Sequence, residues 1–297
     1  MKIDTFKVER WMNEYEDDAV YNLAETCIDS LTLDELFKLA GIDGDEFLLS
    51  LKDKKMTYGD IFGSTAFKDG VASLYEDIRP EQVIPTHGAI GANNMVIMSL
   101  IEPGDNMISV MPTYQQHYSI PASIGAEVRI HQLTYENKFL PDIEKLAGQV
   151  DEKTKMITIN NPDNPTGSWI PMETMKEIVK IAESVGAYVL CDEVYRGISE
   201  DGSYMHSIVD IYDKGISVGS IAKIFSLAGL RMGWIVSPCE EVLEACHIRR
   251  DYDTISCGCL DDVLASIALN AKEAIFSRNR DILLKNRAIL DKWVKET

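Results

Sequence analysis

Ala187-Tyr-Val-Leu-Cys-Asp-Glu-Val-Tyr195 decides how this chain is read. Four apolar residues make a short buried strand, and two carboxylates stand where it stops. Strands of this kind recur on either side of it. The others expected are Gln82–Pro85, Asn106–Val110, Glu127–Ile130, Lys155–Ile159, Gly215–Val218 and Met232–Val236. Helical patterns separate them at Ala92–Ile101, Met172–Ser184 and Glu240–Arg249. Strands spaced by helices predict an α/β fold: a mostly parallel sheet with helices on both faces, hence three layers, αβα. Ligands of such sheets bind at the carboxyl ends of strands, so the residues just after each strand carry the functional reading.

Further out, Phe6–Tyr15 reads as a helix, and Thr32 with Glu35 three residues on has capping-box spacing. The lysine-rich stretch from Lys52 to Gly59 suits a loop, and from about Asp261 the pattern is helical to the end, with Ile275–Val294 as one long amphipathic helix. The division expected is an N-terminal segment 1–44 contributing to small-domain or dimer contacts, a large domain 45–274, and an interdomain helix 275–297 opening a second, small domain that is largely missing at the C-terminus.

Forty-eight acidic against 29 basic residues give a net charge of −19, which argues against a nucleic-acid partner because phosphate binding needs a basic surface. No apolar run is long enough to cross a bilayer and the amphipathic, acidic start has no signal-peptide core, so a cytoplasmic protein is expected. Six scattered cysteines in such a chain read as reduced thiols. Cys257-Gly-Cys259 lacks the second ligand pair that a zinc site needs and is expected to be two ordinary thiols in a loop, with no metal.

Five segments sit where chemistry is expected. Lys223, in Ser217-Val-Gly-Ser-Ile-Ala-Lys-Ile-Phe-Ser-Leu-Ala-Gly-Leu-Arg-Met-Gly-Trp234, follows a strand among small and apolar residues. Burial there is expected to lower its pKa and free the amine to attack a carbonyl. Ser220 and Arg231 offer a hydroxyl and a guanidinium for a phosphate held near that amine. Taken alone, Lys223 also reads as a surface lysine on a turn. Asp192, at its strand's end, can bind metal, act as a base, pair with a protonated ring nitrogen, or be one of a solvated acidic turn. Asn161-Pro-Asp-Asn-Pro-Thr-Gly167 is a rigid turn that can fix an asparagine amide. Thr86-His-Gly-Ala-Ile-Gly-Ala92 places small residues before a helix, where backbone N–H groups hold anions. Met111-Pro-Thr-Tyr114 brings an aromatic ring to the end of another strand, or simply into the core.

Each segment is modest evidence, but together they match pyridoxal 5′-phosphate (PLP), which has a phosphate, a flat ring, a phenolic oxygen, a ring nitrogen and an aldehyde. N-P-x-N-P-T-G, D-E-V-Y and S-x-x-K…L-A-G-L-R-x-G, in this order from about Tyr58 onward, resemble the fold-type I PLP enzymes, specifically the class I/II aminotransferases related to aspartate aminotransferase. The resemblance implies transfer of an amino group between an amino acid and a 2-oxo acid through a Lys223 Schiff base, with Lys223 also moving the proton. It implies Asp192 on the ring nitrogen, Tyr195 and Asn164 on the phenolic oxygen and Tyr114 stacked on the ring. Ser220, Arg231 and the N–H groups of Ala89 and Ile90 would hold the phosphate. Tyr58 matches a tyrosine that reaches the partner subunit's phosphate in the family, which implies a homodimer. A C–S β-lyase or an amino-acid cyclase shares the same motifs, since all begin by removing the α-proton.

Two departures stand out. Tyr21-Asn-Leu-Ala-Glu-Thr-Cys27 replaces the family's glycine-bearing segment near the substrate, leaving Glu25 or Thr26 to face it. No segment matches the small-domain arginine that clamps the substrate carboxylate. Arg278, Arg280 and Arg287 are expected to be solvated on the long helix.

Overall fold

The structure, a computed structural model, describes residues 2–197, 199 and 202–297. In chain order its elements are α1 (Lys7–Tyr15), α2 (Leu33–Ala40), α3 (Gly44–Ser50), α4 (Thr65–Ala72), β1 (Val83–His87), α5 (Gly88–Leu100), β2 (Asn106–Met111), α6 (Gln116–Ile124) and β3 (Glu127–Gln132). They continue as α7 (Ile143–Ala147), β4 (Thr154–Asn160), α8 (Met172–Val185), β5 (Tyr188–Asp192), β6 (Gly215–Ser220), β7 (Met232–Val236), α9 (Glu240–Asp253), α10 (Cys259–Asn270) and α11 (Lys272–Glu296). All seven expected strands are present, with ends shifted by a residue or two.

The strands form one sheet in the order β1-β7-β6-β5-β4-β2-β3. β7 runs antiparallel to both neighbours, and the remaining pairs are parallel. The α/β reading is therefore correct. Strand alternation feeds two cores. In β4 and β5, Met156, Tyr188 and Leu190 face one side, packed with Met95 and Val96 of α5 and Val242 of α9. Ile157, Ile159, Val189 and Cys191 face the other, with Phe67 of α4, Ile178 of α8 and Leu269 of α10. Burial on both faces explains why these strands read as continuous apolar runs.

The predicted capping box on α2 is present: Thr32 Oγ1 accepts from the Glu35 N–H at 3.2 Å and the Glu35 carboxylate accepts from the Thr32 N–H at 2.8 Å. Four helices escaped the sequence reading, and a fifth, α10, starts two residues before the stretch expected to be helical. α3 and α7 carry Asp43 and Asp142 as N-caps, and α4 carries Ser64, so a local signal existed. α6 has no capping side chain and holds Pro121, which argues against a helix until tertiary contacts override it. α10 corrects the reading of Cys259, which opens this helix rather than lying in a loop. Among the described residues the cysteines are all free and no metal-binding cluster occurs, and no helix is long and apolar enough to cross a membrane.

Candidate active site

The carboxyl ends of β1, β2, β4, β5 and β6 carry the five segments singled out from the sequence. Register aligns Asn160 of β4 with Asp192 of β5. The Asn160 amide donates to the Asp192 carbonyl at 2.8 Å, and its Oδ1 accepts the Asn164 N–H at 2.7 Å. One asparagine thus fixes the proline-containing turn against the acid. Within the turn, Asp163 accepts from Thr166 Oγ1 at 2.6 Å, and Gly167 takes the left-handed backbone (φ 70°) that favours glycine.

Asp192 is buried, and burial pushes its carboxyl pKa up to about 6, against the opposing pull of hydrogen bonds from Asn93 and the Val194 N–H and the charge of Lys223. The Asn93 Nδ2 donates to Asp192 Oδ2 at 2.8 Å and Val194 N to Oδ1 at 3.2 Å. His117 Nε2 lies 3.9 Å from Oδ2, and burial drops the imidazole pKa to about 4, so His117 is neutral. At neutral pH the carboxylate is mostly ionised, and no described cation is salt-bridged to it.

Lys223 stands after β6. Its Nζ donates to Thr26 Oγ1 at 2.9 Å and to Cys27 Sγ at 3.2 Å. Burial is the largest single influence and pulls the amine's pKa down, but Tyr195, Cys27 and Glu25 outweigh it, and the net shift is upward. This corrects the expected lowering: neighbours brought in by folding, Tyr195 first, outweigh desolvation. The Tyr195 hydroxyl donates to the same Thr26 oxygen at 2.9 Å.

Arg231 and α5 converge. Gly88 opens α5 with φ 68°, and a Cβ there would come within 3.0 Å of Arg231 Nη2. Arg231 itself takes a left-handed backbone (φ 54°), a conformation seldom adopted outside glycine and held here at the end of a 3-10 turn. Because α5 begins at Gly88, four residues before the expected start, Ala89 and Ile90 lie in its first turn, where N–H groups have no intrahelical acceptor. Ser220 is buried and accepts the Ala222 N–H at 2.9 Å, which leaves its own hydroxyl hydrogen to donate.

Tyr114 is half-buried rather than core. Phe6 packs on it with ring centroids 4.9 Å apart, and its hydroxyl donates to Glu9 Oε1 at 2.8 Å. Burial, then Glu9, raises the phenol pKa. Tyr58 stands apart from this group, 77% exposed in an irregular stretch. Arg278 is only partly solvated and donates to the Asp29 carbonyl at 2.9 Å. Arg287 is exposed and pairs with Asp291.

Sequence reasoning missed Asn93 and His117. Asn93 lies on α5 and His117 on α6, each just after a segment singled out, but α6 was not expected, so no helical spacing pointed to His117.

The residues present fit PLP. The two side chains flanking Asp192 each keep a buried atom without a hydrogen-bond partner, Asn93 Oδ1 and His117 Nε2. An anionic carboxylate suits a protonated ring nitrogen, the Gly88–Arg231 cradle suits a phosphate, and Lys223 and Tyr195 share one bridging hydroxyl as a pair would that faces an aldehyde and an adjacent phenolic oxygen.

The family model for aminotransferase class I and II matches residues 14–297. Aspartate aminotransferase of Thermotoga maritima is 28% identical over 237 residues, covering 77% of this chain and 62% of that protein, so the chain spans less than two thirds of this relative's length. Capreomycidine synthase of Streptomyces vinaceus is 26% identical over 289 residues, covering 96% of this chain and 73% of that protein. The crystal structure of a PLP-dependent aminotransferase from Streptococcus suis superposes with a TM-score of 0.96 at 48% identity, covering all of this chain and 79% of that one. With the five segments gathered at the carboxyl edge of the sheet, this chain belongs to the class I and II aminotransferase family.

Proposed function

We propose that the protein transfers an amino group between an amino acid and a 2-oxo acid, using PLP held by Lys223. The observation that carries this reading is Asp192, a buried carboxylate braced by Asn93 and backed by a neutral histidine. Such a group costs stability unless a cation meets it. PLP, when bound, supplies an aldehyde for the amine and a protonated ring that draws off the electron pair released at the substrate Cα.

The chain's own residues do the rest. The Lys223 amine would be the nucleophile that holds the cofactor and, once free, the base that takes the Cα proton and passes it to the former aldehyde carbon. Asp192 would keep the ring nitrogen protonated. Tyr195 and Asn164 would serve the phenolic oxygen, Tyr114 the ring face, and Ser220, Arg231, Ala89 and Ile90 would hold the phosphate. Tyr58, exposed on one chain, is assigned to the partner's phosphate in a homodimer.

A second reading, an amino-acid cyclase or a C–S β-lyase, rests on the shared motifs. Purified protein supplied with PLP should carry a visible, borohydride-reducible chromophore that Lys223→Ala lacks. Absence of that chromophore from wild type overturns the proposal. Amino transfer to a 2-oxo acid, release of pyruvate and ammonia, or ring closure then separates the three reactions.

A further inference from the structure

Thr26 and Cys27 lie 197 and 196 positions from Lys223, yet both touch its amine. Thr26 Oγ1 accepts from Lys223 at 2.9 Å and from Tyr195 at 2.9 Å. A hydroxyl has two acceptor positions and one donor, so both acceptor positions are filled and its hydrogen points elsewhere. Core burial does not explain this placement. Thr26 is exposed, as is every residue from Asp17 to Glu25, and the segment is next anchored at buried Ile28 and by the Leu31 N–H to the Ser226 carbonyl at 2.9 Å. The polar contacts of Thr26 and Cys27 are what join this stretch to the lysine.

Resting on the transamination reading, we propose that Thr26, aided by Cys27, is a positioning residue: it seats the Lys223 amine during the part of the cycle in which that amine is free of the cofactor. A lysine on a four-carbon stem is mobile, and proton transfer requires it within hydrogen-bond reach of the reacting carbon's proton. The Thr26 oxygen fixes one end of that reach. Through the same oxygen the position of the amine is tied to the Tyr195 phenol, so loss of the hydroxyl disturbs both groups. A glycine at this position has no side chain to offer such a seat.

The test uses PLP-loaded wild type, Thr26→Val, Thr26→Ser and Cys27→Ala. Thr26→Val is expected to lose about tenfold or more in kcat with KM for the amino donor changed by less than about twofold. Its lysine-dependent limb in the pH–rate profile moves to lower pH, because the charged amine loses an acceptor. The pH titration of the bound chromophore, read without substrate, shifts as well. Thr26→Ser restores both readouts, and Cys27→Ala gives a smaller loss of the same kind. Thr26 is exposed, so folding is not at stake, and Thr26→Ala provides a second removal of the hydroxyl. Wild-type kcat and titration in Thr26→Val and Thr26→Ala, or a loss confined to KM, overturn the proposal while leaving transamination intact. A wild type without a lysine-linked chromophore overturns both.

Discussion

Two regions meet at Lys223, and they are held by different physics. Behind β5, Glu193 accepts from Ser207 Oγ and Ser217 Oγ at 2.8 Å each and from the Ile208 N–H at 3.0 Å, and pairs with Arg196 at 2.8 Å. Arg196 lies between the rings of Tyr75 and Tyr204, 4.3 and 4.4 Å from their centroids, and donates to the carbonyls of Met205 and Leu74. Burial still pushes the Glu193 pKa up, with Arg196 the first influence opposing it. In front, residues 5–29 cross the site almost without burial: Val20, Tyr21 and Leu23 are each more than four-fifths exposed. A few hydrogen bonds and the Phe6–Tyr114 contact hold this strap. The rear network is buried with the core next to Asp192 and Tyr195, and the strap adds little to that core.

The sharpest way to break this contrast is Arg196→Met. It leaves Glu193 charged and buried without its partner and is expected to cost about 3–5 kcal/mol in urea unfolding, partly recovered by adding Glu193→Gln. If the loss were under about 1 kcal/mol, the rear wall would be no more rigid than the strap.

Asp192 gives a pH test of the wall's front surface. Its carboxyl pKa is about 6 in the folded chain against an ordinary 3.8. The folded state without cofactor therefore binds the proton more tightly than the unfolded chain, and this group's contribution to stability falls by about 3 kcal/mol as pH rises from near 4 to above 6. PLP affinity has the opposite trend, weakening as pH drops through about 6 because the carboxylate loses its charge. Asp192→Asn should remove both dependences, seen by urea melts and by fluorescence titration with PLP.

Where the strap meets the wall, Tyr114→Phe removes the bond to Glu9 and should cost about 0.5–1.5 kcal/mol at most, with a larger relative effect on hydrogen exchange near α1 than on global unfolding. Asp29→Ala should cost less still, under about 1 kcal/mol in a urea melt, because Asp29 is exposed in its pair with Arg278. A strap mutation matching Arg196→Met in global stability would erase the distinction.

Much of the wall was legible in the sequence. The family resemblance alone assigned Tyr195 and Asn164 their roles, while short apolar runs bounded by turn residues located all seven strands and put Asp192 and Lys223 just after two of them. Local chemistry is enough for that, because a strand's burial pattern and a turn's prolines and glycines act within a few residues. α6 was illegible for the same reason: it has no cap, contains a proline, and is held by contacts with α5 and β3.

The sequence by itself determined that two carboxylates end one strand and that a lysine follows the next. Only the tertiary structure decided which carboxylate faces which partner. Successive side chains of an extended chain point to opposite sides, so Asp192 meets Asn93 while Glu193 turns into the Arg196 network. It also decided that Thr26, nearly two hundred residues away, touches the lysine, and that the lysine's pKa rises rather than falls. A pKa is set by every charge and dipole within reach, and those come from parts of the chain that only folding brings together.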